Sequence, residues 1–451
     1  MTSIPANQAH LLPFVANSPE LSKQVASLDW NELDKAVEDC INSHASAGLP
    51  DHYEPAAYFP LTPENDAQSA LYQKAQAHGE QLISEGKTAA FTVAGGQGTR
   101  LGYDGPKGTF PVSPIQNKSL FQLFAEQIAG LNAKYSCNIP WYIMCSPLNI
   151  DATTAYFKQN QFFGLNEADV QFFTQGVMPA TDFAGKLLVK DADNLAFSPN
   201  GHGGSLKALI DSGSIDDMKS RGIEHLSYFQ VDNPLISIMS PLFVGLHDLQ
   251  QSDMSSRSLT KTGPFEKLGN FVMVGDSMNI IEYSDLPEDK ALETDSEGRI
   301  KYRAGSPAMH LLRRDFIDQF ASASLKLPYH RAEKKVPFIN LDGEAFSPEQ
   351  ANAVKFETFV FDALPLAKNP LILEATREQE FSPVKNKTGV DSLESSQADQ
   401  IKRDITRLRN LGIEVADSAT VEISPTLYLD DKKLIAASPT SLKSDHSYYL
   451  A

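Results

Sequence analysis

The apolar run Ala89-Ala90-Phe91-Thr92-Val93-Ala94 ends directly in Gly95-Gly96-Gln97-Gly98. A short run that is apolar on both sides reads as a strand buried within a parallel sheet, and glycines placed at its end allow a tight turn there. Such a strand must be covered on both faces, so helices are required around it. Ser119 opens one as a capping-box N-cap with Gln122 three residues on, and Leu120, Leu123, Phe124, Ile128 and Leu131 form its apolar stripe. Trp141 to Cys145 is the next strand. Further strand-like runs fall at Val170–Thr174, Leu226–Val231, Asn270–Val274 and Leu371–Ala375. Helical stretches at Asp315–Ser324 and Lys355–Leu366 separate some of them, the second with Phe356, Phe359 and Val360 on one face and Phe361 off it. This alternation predicts an α/β fold, a mostly parallel Rossmann-like sheet with helices on both faces.

Around that sheet the chain changes character twice. Residues 20–88 are polar and helix-prone, with Leu28, Trp30, Leu33 and Val37 about one turn apart and a Pro-containing stretch from Pro50 to Pro63 as an interruption. After a helical run at Gln397–Asn410 come short alternating stretches at Thr420–Ile423, Leu427–Leu429 and Leu434–Ala437, with Asp430-Asp431 as a turn. The expected division is a mainly helical N-terminal region over 1–87, a catalytic α/β domain over 88–390, and a C-terminal helix with a small β-rich domain over 391–451. The 451 residues carry 39 Lys+Arg against 57 Asp+Glu, a formal charge of −18, which opposes polyanions and acidic membranes and excludes broad nucleic-acid binding. A small anion is still accommodated where a few cations gather, because salt screens the distant charges beyond about 8–10 Å. Cys40, Cys137 and Cys145 form no CxxC pair and have no His at zinc-ligand spacing, which argues against a disulfide framework or structural zinc. Residues 1–30 hold Pro5, Pro13 and Pro19 and do not read as a signal peptide, and nowhere do about 18 apolar residues run together. The expectation is a soluble, cytoplasmic protein, a monomer or weak dimer, that binds neither nucleic acid nor membrane.

The chemistry concentrates in Ala94-Gly95-Gly96-Gln97-Gly98-Thr99-Arg100-Leu101-Gly102, followed by Pro106-Lys107-Gly108. Three glycines within four residues after a strand let backbone N–H groups approach an anion, and Arg100 and Lys107 add positive charge. The dinucleotide pattern G-x-G-x-x-G fails, because counting from Gly96 its third glycine falls on Leu101. A Walker loop fails too: Gly86-Lys87-Thr88 precedes the strand and has Gln81 where the first glycine belongs. Hydride transfer and P-loop ATPase chemistry are thereby disfavoured. Asp232 follows the run Leu226–Val231, at the carboxyl end of a strand, where open α/β sheets bind ligands. Gln175 ends the run Val170–Thr174 with an amide that could both donate to and accept from a base edge.

The glycine loop with Pro106-Lys107-Gly108 resembles the UDP-sugar pyrophosphorylases, in particular the eukaryotic-type UDP-N-acetylhexosamine pyrophosphorylases. Similar stretches follow in order: Phe172-Phe173-Thr174-Gln175-Gly176-Val177-Met178-Pro179-Ala180, Pro199-Asn200-Gly201-His202-Gly203-Gly204, Gln230-Val231-Asp232-Asn233, Ile281-Glu282-Tyr283-Ser284, and Arg377 to Asn386. The resemblance runs from roughly residue 50 to 430. It implies a glycosyltransferase-A-like nucleotidyltransferase sheet, and an enzyme that joins UTP to a sugar 1-phosphate with Mg²⁺, releasing pyrophosphate. By matching position, Ala94, Gly95, Gly96, Gly98, Thr99, Gln175, Gly201, His202 and Asp232 would bind the nucleotide, with Gln175 at the uracil. Arg100, Lys107 and Lys385 would hold the phosphates, and Asp232 would ligate the metal. Gly203, Asn233, Gly269 and Glu282 would meet the sugar, walled by Phe359 and Phe361.

Three positions depart from the N-acetylhexosamine enzymes, which carry Asn where this chain has His202, Ser306 and Met309. Gly201-His202-Gly203 resembles the Gly-His-Gly of UTP-glucose-1-phosphate uridylyltransferases. N-acetylglucosamine 1-phosphate is the first expectation for the acceptor; glucose 1-phosphate and a broad specificity stay open. A non-catalytic nucleotide-binding protein is the remaining alternative, disfavoured by the presence of Arg100, Lys107 and Asp232 together.

Overall fold

The computed structural model describes residues 4–42, 49–322 and 325–451. The chain divides into two compact units, one of residues 1–50, 175–207 and 323–363 and a larger one of residues 51–174, 208–322 and 364–451.

The larger unit is built on strands β1 (Thr88–Val93), β2 (Trp141–Cys145), β3 (Val170–Thr174), β4 (His225–Gln230), β5 (Met254–Thr260), β6 (Gly269–Val274), β7 (Ser277–Ile281), β8 (Ala304–Ser306), β9 (His310–Arg313) and β10 (Leu371–Glu374). β3, β2, β1 and β4 lie side by side and parallel, β9 enters antiparallel between β4 and β5, and β10 pairs parallel with β5. β8, β6 and β7 extend the other edge as antiparallel strands. The expected α/β class with a mostly parallel central sheet is what forms. β1 is fully buried but for Val93, and of its two buried threonines, Thr88 and Thr92, the second accepts a hydrogen bond from Trp141 Nε1 at 2.7 Å. Phe121, Phe124 and Phe157 pack edge-on to Trp141, as quadrupolar rings prefer. Helix Leu120–Tyr135 begins at Ser119, whose Oγ accepts from Gln122 N at 3.1 Å; the Gln122 side chain turns to Glu126 instead of returning to the cap, so only half of the box forms. Gly79 and Gly245 let helices Asp66–Ser84 and Pro241–Leu249 meet backbone to backbone: a Cβ on either would lie 1.8 Å from a carbonyl oxygen of the other helix.

The smaller unit packs Leu11, Leu21, Val25 and Leu33 of the N-terminal helices with Met178, Leu187, Val189, Leu195, Val354 and Phe356. The compact units therefore do not follow the three consecutive segments expected from sequence. Residues 1–50 share a core with two distant stretches, while helix Asp66–Ser84 covers the sheet of the larger unit.

Several local expectations are corrected. Lys355–Leu366 is not a helix: Ala353–Glu357 is a strand paired antiparallel with His330–Lys334, followed by a 3₁₀ stretch at Val360–Leu366. Val354 and Phe356 are buried while Lys355 and Glu357 are half-exposed, the period of two that a strand requires. The stretches Leu427–Leu429 and Leu434–Ala437 contribute to helices Pro425–Tyr428 and Asp431–Ala437, the second capped by Asp430, whose side chain accepts from Lys433 N. The tail keeps strands Thr420–Ile423 and Ser447–Leu450 as a parallel pair around its own apolar cluster. Asp315–Ser324 is helical over Arg314–Asp318 with a 3₁₀ turn at Gln319–Ala321, and Ser324 lies outside the described residues. No helix among the described residues is long and apolar enough to cross a membrane.

Candidate active site

At the end of β1 the chain folds into a compact loop closed by its own backbone. Gly98 N donates to Gly105 O at 2.9 Å, and Lys107 N donates to Gly96 O at 3.0 Å. The glycines have different reasons to be glycine. A Cβ on Gly98 would lie 2.7 Å from Tyr103 Cδ1, and one on Gly108 would lie 2.1 Å from Phe121 Cε2, so both are filled by the protein itself. A Cβ on Gly96 would meet nothing within 4 Å, and Gly96 is exposed. It leaves a bare stretch of backbone that a phosphate can approach. Ala94 is buried and Gly95 half-buried beneath it, while Thr99 and Arg100 are exposed on the following 3₁₀ turn, Thr99–Leu101. Arg100 makes no hydrogen bond or ion pair among the described residues.

Lys107 Nζ lies 3.4 Å from Asp232 Oδ2, with only 16% and 13% of the two side chains exposed. Asp232 follows β4, as expected, and its backbone oxygen accepts from Val384 N at 2.8 Å, which brings Lys385 to the same neighbourhood. Lys385 N in turn donates to Asp391 O at 2.7 Å. Burial pushes the Asp391 carboxyl above its ordinary value; Lys385 opposes that shift and the charge of Asp232 adds to it. The glycine loop, Lys107 and Asp232 are thus joined by direct contacts within one unit, with Lys385 following Val384, which is bonded to Asp232.

Gly269 at the start of β6 and Glu282, the residue just after β7, also come together across the hairpin. A Cβ on Gly269 would lie 2.6 Å from Ile280 Cγ2 and 3.5 Å from Glu282 Oε1. Asn233 is 5% exposed and spends its amide on backbone: Nδ2 donates to Glu380 O at 2.6 Å, and Oδ1 accepts from Ser382 N at 3.0 Å. Met309 is buried in the main apolar cluster, whereas Ser306 Oγ accepts from Ala308 N at 3.4 Å.

The remaining expected residues belong to the smaller unit. Gln175 Nε2 donates to Gly201 O at 3.3 Å. The close approach allowed by Gly201 and Gly203 is to the chain's own backbone. Gly201 has φ +83°, and its Cβ would lie 2.3 Å from Thr358 O, while that of Gly203 would lie 2.7 Å from Phe359 N. This contact sets Phe359 and Phe361 beside His202. His202 stacks on Phe359 with ring centroids 5.2 Å apart and sits 5.8 Å from Phe361, and His330 stacks on Phe359 at 4.4 Å. His202 Nδ1 accepts from Val360 N at 3.2 Å, and burial, aided by the nearby His330, pushes the imidazole down to about 4. His202 is therefore neutral near pH 7 with its proton on Nε2.

The sequence family described as UTP–glucose-1-phosphate uridylyltransferase matches residues 56–432. The chain belongs to this family. Among curated members, it is 36% identical over 408 residues to mouse UDP-N-acetylhexosamine pyrophosphorylase-like protein 1, covering 86% of this chain and 80% of the relative. It is 37% identical over 364 residues to the UDP-N-acetylglucosamine pyrophosphorylase of Saccharomyces cerevisiae, covering 77% and 75%. A crystal structure of a provisionally assigned UDP-N-acetylglucosamine pyrophosphorylase from Entamoeba histolytica superposes with a TM-score of 0.80 at 32% identity, covering 89% of this chain and 100% of that one.

Three side chains join the candidate site that sequence reasoning missed. Asn149, 1% exposed, braces the glycine loop: Nδ2 donates to Ala94 O at 2.9 Å and Gly96 O at 3.3 Å, and Oδ1 accepts from Ser146 N at 2.8 Å. Its position just after β2, ahead of a helix, is a sequence signal that could have found it. Lys387 reaches the same loop, its Nζ 3.9 Å from where a Cβ on Gly102 would stand. Lys261, 5% exposed, donates to Asn270 Oδ1 at 2.8 Å beside Gly269, and burial lowers its pKa. A lysine at the end of a strand carries no distinguishing sequence mark.

Proposed function

We propose that this family member transfers the uridylyl group of UTP to a sugar 1-phosphate, N-acetylglucosamine 1-phosphate before others, with release of pyrophosphate. The observation that carries the reading is the part-buried Lys107–Asp232 pair at 3.4 Å, beside the bare backbone of Gly96 and tied through Val384 to Lys385. An oxygen of the sugar phosphate attacks the α-phosphorus in line with departing pyrophosphate, so the protein supplies no nucleophile and works by positioning and charge neutralisation. Arg100 and Lys107 would hold the triphosphate and take up the charge that develops on the leaving group, and Lys385 would add a third cation. By the family resemblance, Gln175, Phe359 and Phe361 of the smaller unit and Gly269 and Glu282 of the larger are the candidates for recognising the base and the sugar.

Magnesium belongs to this reading. Mg²⁺ takes one or two carboxylates with phosphate oxygens and water, and Asp232 offers a carboxylate whose Oδ1 makes no hydrogen bond among the described residues. Asp232 would hold the ion, which when bound neutralises phosphate charge. The names of the curated relatives support the N-acetylated acceptor. The burial of Met309 in the core removes one of the three departures from the sugar question. A cytoplasmic location agrees with three free cysteines. The test is pyrophosphate release from UTP with Mg²⁺ and a panel of sugar 1-phosphates. N-acetylglucosamine 1-phosphate is expected to give the highest kcat/KM. Preference for glucose 1-phosphate would move the assignment to the other branch, and no release from any acceptor would overturn it.

A further inference from the structure

Lys385 sits on a segment with no ladder to hold it. Residues 381–385 have no regular secondary structure, and the helix before them, Arg377–Glu380, is a single turn. Side chains and a few isolated backbone contacts fix it instead. Arg257 of β5, 5% exposed, forms a two-pronged ion pair with Glu380: Nη2 contacts Oε1, and Nε donates to Oε2 at 3.3 Å. Its guanidinium lies over the Phe243 ring, 5.3 Å from the centroid. The carbonyl of the same Glu380 accepts from Asn233 Nδ2, Asn233 Oδ1 takes the N–H of Ser382, and Asp232 O takes the N–H of Val384. From the far side Ser396 Oγ donates to Ser382 O at 2.9 Å, and Ser382 Oγ donates to Asp399 Oδ2 at 2.7 Å.

Two carboxylate-bearing positions are thus linked back to back. Asp232 and Asn233 follow β4, Glu380 follows β10, and Lys385 comes directly after Val384, its own N–H bonded to Asp391 O. A buried ion pair is a poor way to stabilise a fold, because packed apolar side chains of similar volume usually do as well or better. Its advantage is geometric: the planar fork of Arg257 accepts a carboxylate in one orientation only and so sets where the segment begins. We propose that the Arg257–Glu380 pair, with Asn233, is the positioning device of the transfer site, setting Lys385 against Asp232 without touching substrate. The inference rests on the uridylyl-transfer reading and adds residues to which that reading gives no such role.

The test uses the full chain with Glu380→Gln, Arg257→Lys, Lys385→Met and the double variant Glu380→Gln/Lys385→Met. Glu380→Gln is expected to lower kcat for pyrophosphate release about tenfold or more with little change in KM for UTP, and Arg257→Lys, which keeps the charge but not the fork, by a smaller factor. The decisive result is non-additivity: in the Lys385→Met background, Glu380→Gln should cost less than about twofold, because it acts through Lys385. Factors that multiply independently would overturn the proposal, as would an unchanged kcat in Glu380→Gln. Amide hydrogen exchange over residues 381–386 supplies a readout that needs no turnover. Exchange at Ser382 and Val384 should accelerate in Glu380→Gln while the β1 and β2 amides keep their protection. Exchange as slow as in the unsubstituted protein would refute the positioning claim. Faster exchange in Glu380→Gln, when the unsubstituted protein itself releases no pyrophosphate, would instead refute the uridylyl-transfer reading alone. If Glu380→Gln fails to fold, Arg257→Lys carries both measurements, and wild-type kcat and exchange in that variant count against the proposal.

Discussion

Lys107→Met removes a charge and keeps most of the side chain's apolar stem, so it separates electrostatics from packing. At 3.4 Å and an effective dielectric of about 20, the attraction to Asp232 is about 5 kcal/mol before desolvation and rotamer losses are subtracted. The net contribution to folding is then about 1–3 kcal/mol, a hydrogen bond between charged groups. In a chain of this size that corresponds to a fall in Tm of a few degrees. The catalytic loss is expected to be larger. A preorganised donor facing developing charge in a site that excludes water contributes about 2.7–4 kcal/mol to the transition state, or about 10²–10³ in kcat. Steady-state pyrophosphate release at saturating UTP and sugar 1-phosphate gives kcat, and a thermal melt of the same preparation gives the stability change. Lys107→Arg should recover part of the rate. A kcat within about threefold of wild type, accompanied by a several-degree fall in Tm, would refute the argument and make Lys107 a structural residue.

Gly96→Ala should fold normally, because its Cβ meets nothing within 4 Å, yet bind UTP more weakly; Gly98→Ala, whose Cβ would lie 2.7 Å from Tyr103 Cδ1, should lose stability as well. UTP titration beside a thermal melt distinguishes them, and equal UTP affinity in Gly96→Ala would remove that backbone from the site. Asn149→Leu strips the loop of its buried brace and should cost about 1–3 kcal/mol in denaturant unfolding, with a raised KM for UTP; an unchanged KM would leave Asn149 a purely structural group. Acid should destabilise the larger unit through His225 and His247. Burial, with help from Arg313, pushes His225 down to about 4 against Asp248 and Glu224, and burial, His225 and Arg313 lower His247. Depressed histidines stabilise the fold fully above their unfolded value of about 6.5 and cease to do so as pH falls through about 4, a loss of about 3 kcal/mol for His225. Urea midpoints equal at pH 7 and pH 5 would contradict this.

The sheet was legible because its strands announce themselves: the apolar run Trp141–Cys145 and the strand-like run Val170–Thr174 have bounds that match the observed strands. Lys355–Leu366 misled because Phe356 fits both periods. The helical face with Phe359 and Val360 competed with the alternation Val354, Lys355, Phe356, Glu357, and the deciding partner, His330–Lys334, has no apolar pattern of its own. In the tail, Asp430 was read as a turn residue when it caps a helix, two roles that the same side-chain acceptor serves. Within the candidate site, residue types and order were readable, since Lys107 and Asp232 do meet. The reasons for the glycines were not. Gly98 answers to Tyr103, Gly108 to Phe121 and Gly203 to Phe359, and the last of these contacts spans more than a hundred residues of sequence. Asn149 is marked by its place after β2 and ahead of a helix, but its bracing role is not, because its partners, Ala94 and Gly96, are brought to it only when β1 and β2 pair.

Helix Leu393–Asn410 grips Ser382 through Ser396 and Asp399, and its Gln400 donates to Val112 O. A premature stop codon between positions 388 and 392, just before that helix, would delete no residue proposed to touch a phosphate or a sugar, yet it would release the strip of chain that ends in Lys385. Alleles of that kind should be scored by turnover as well as by abundance, since a shortened product could accumulate and still be inert.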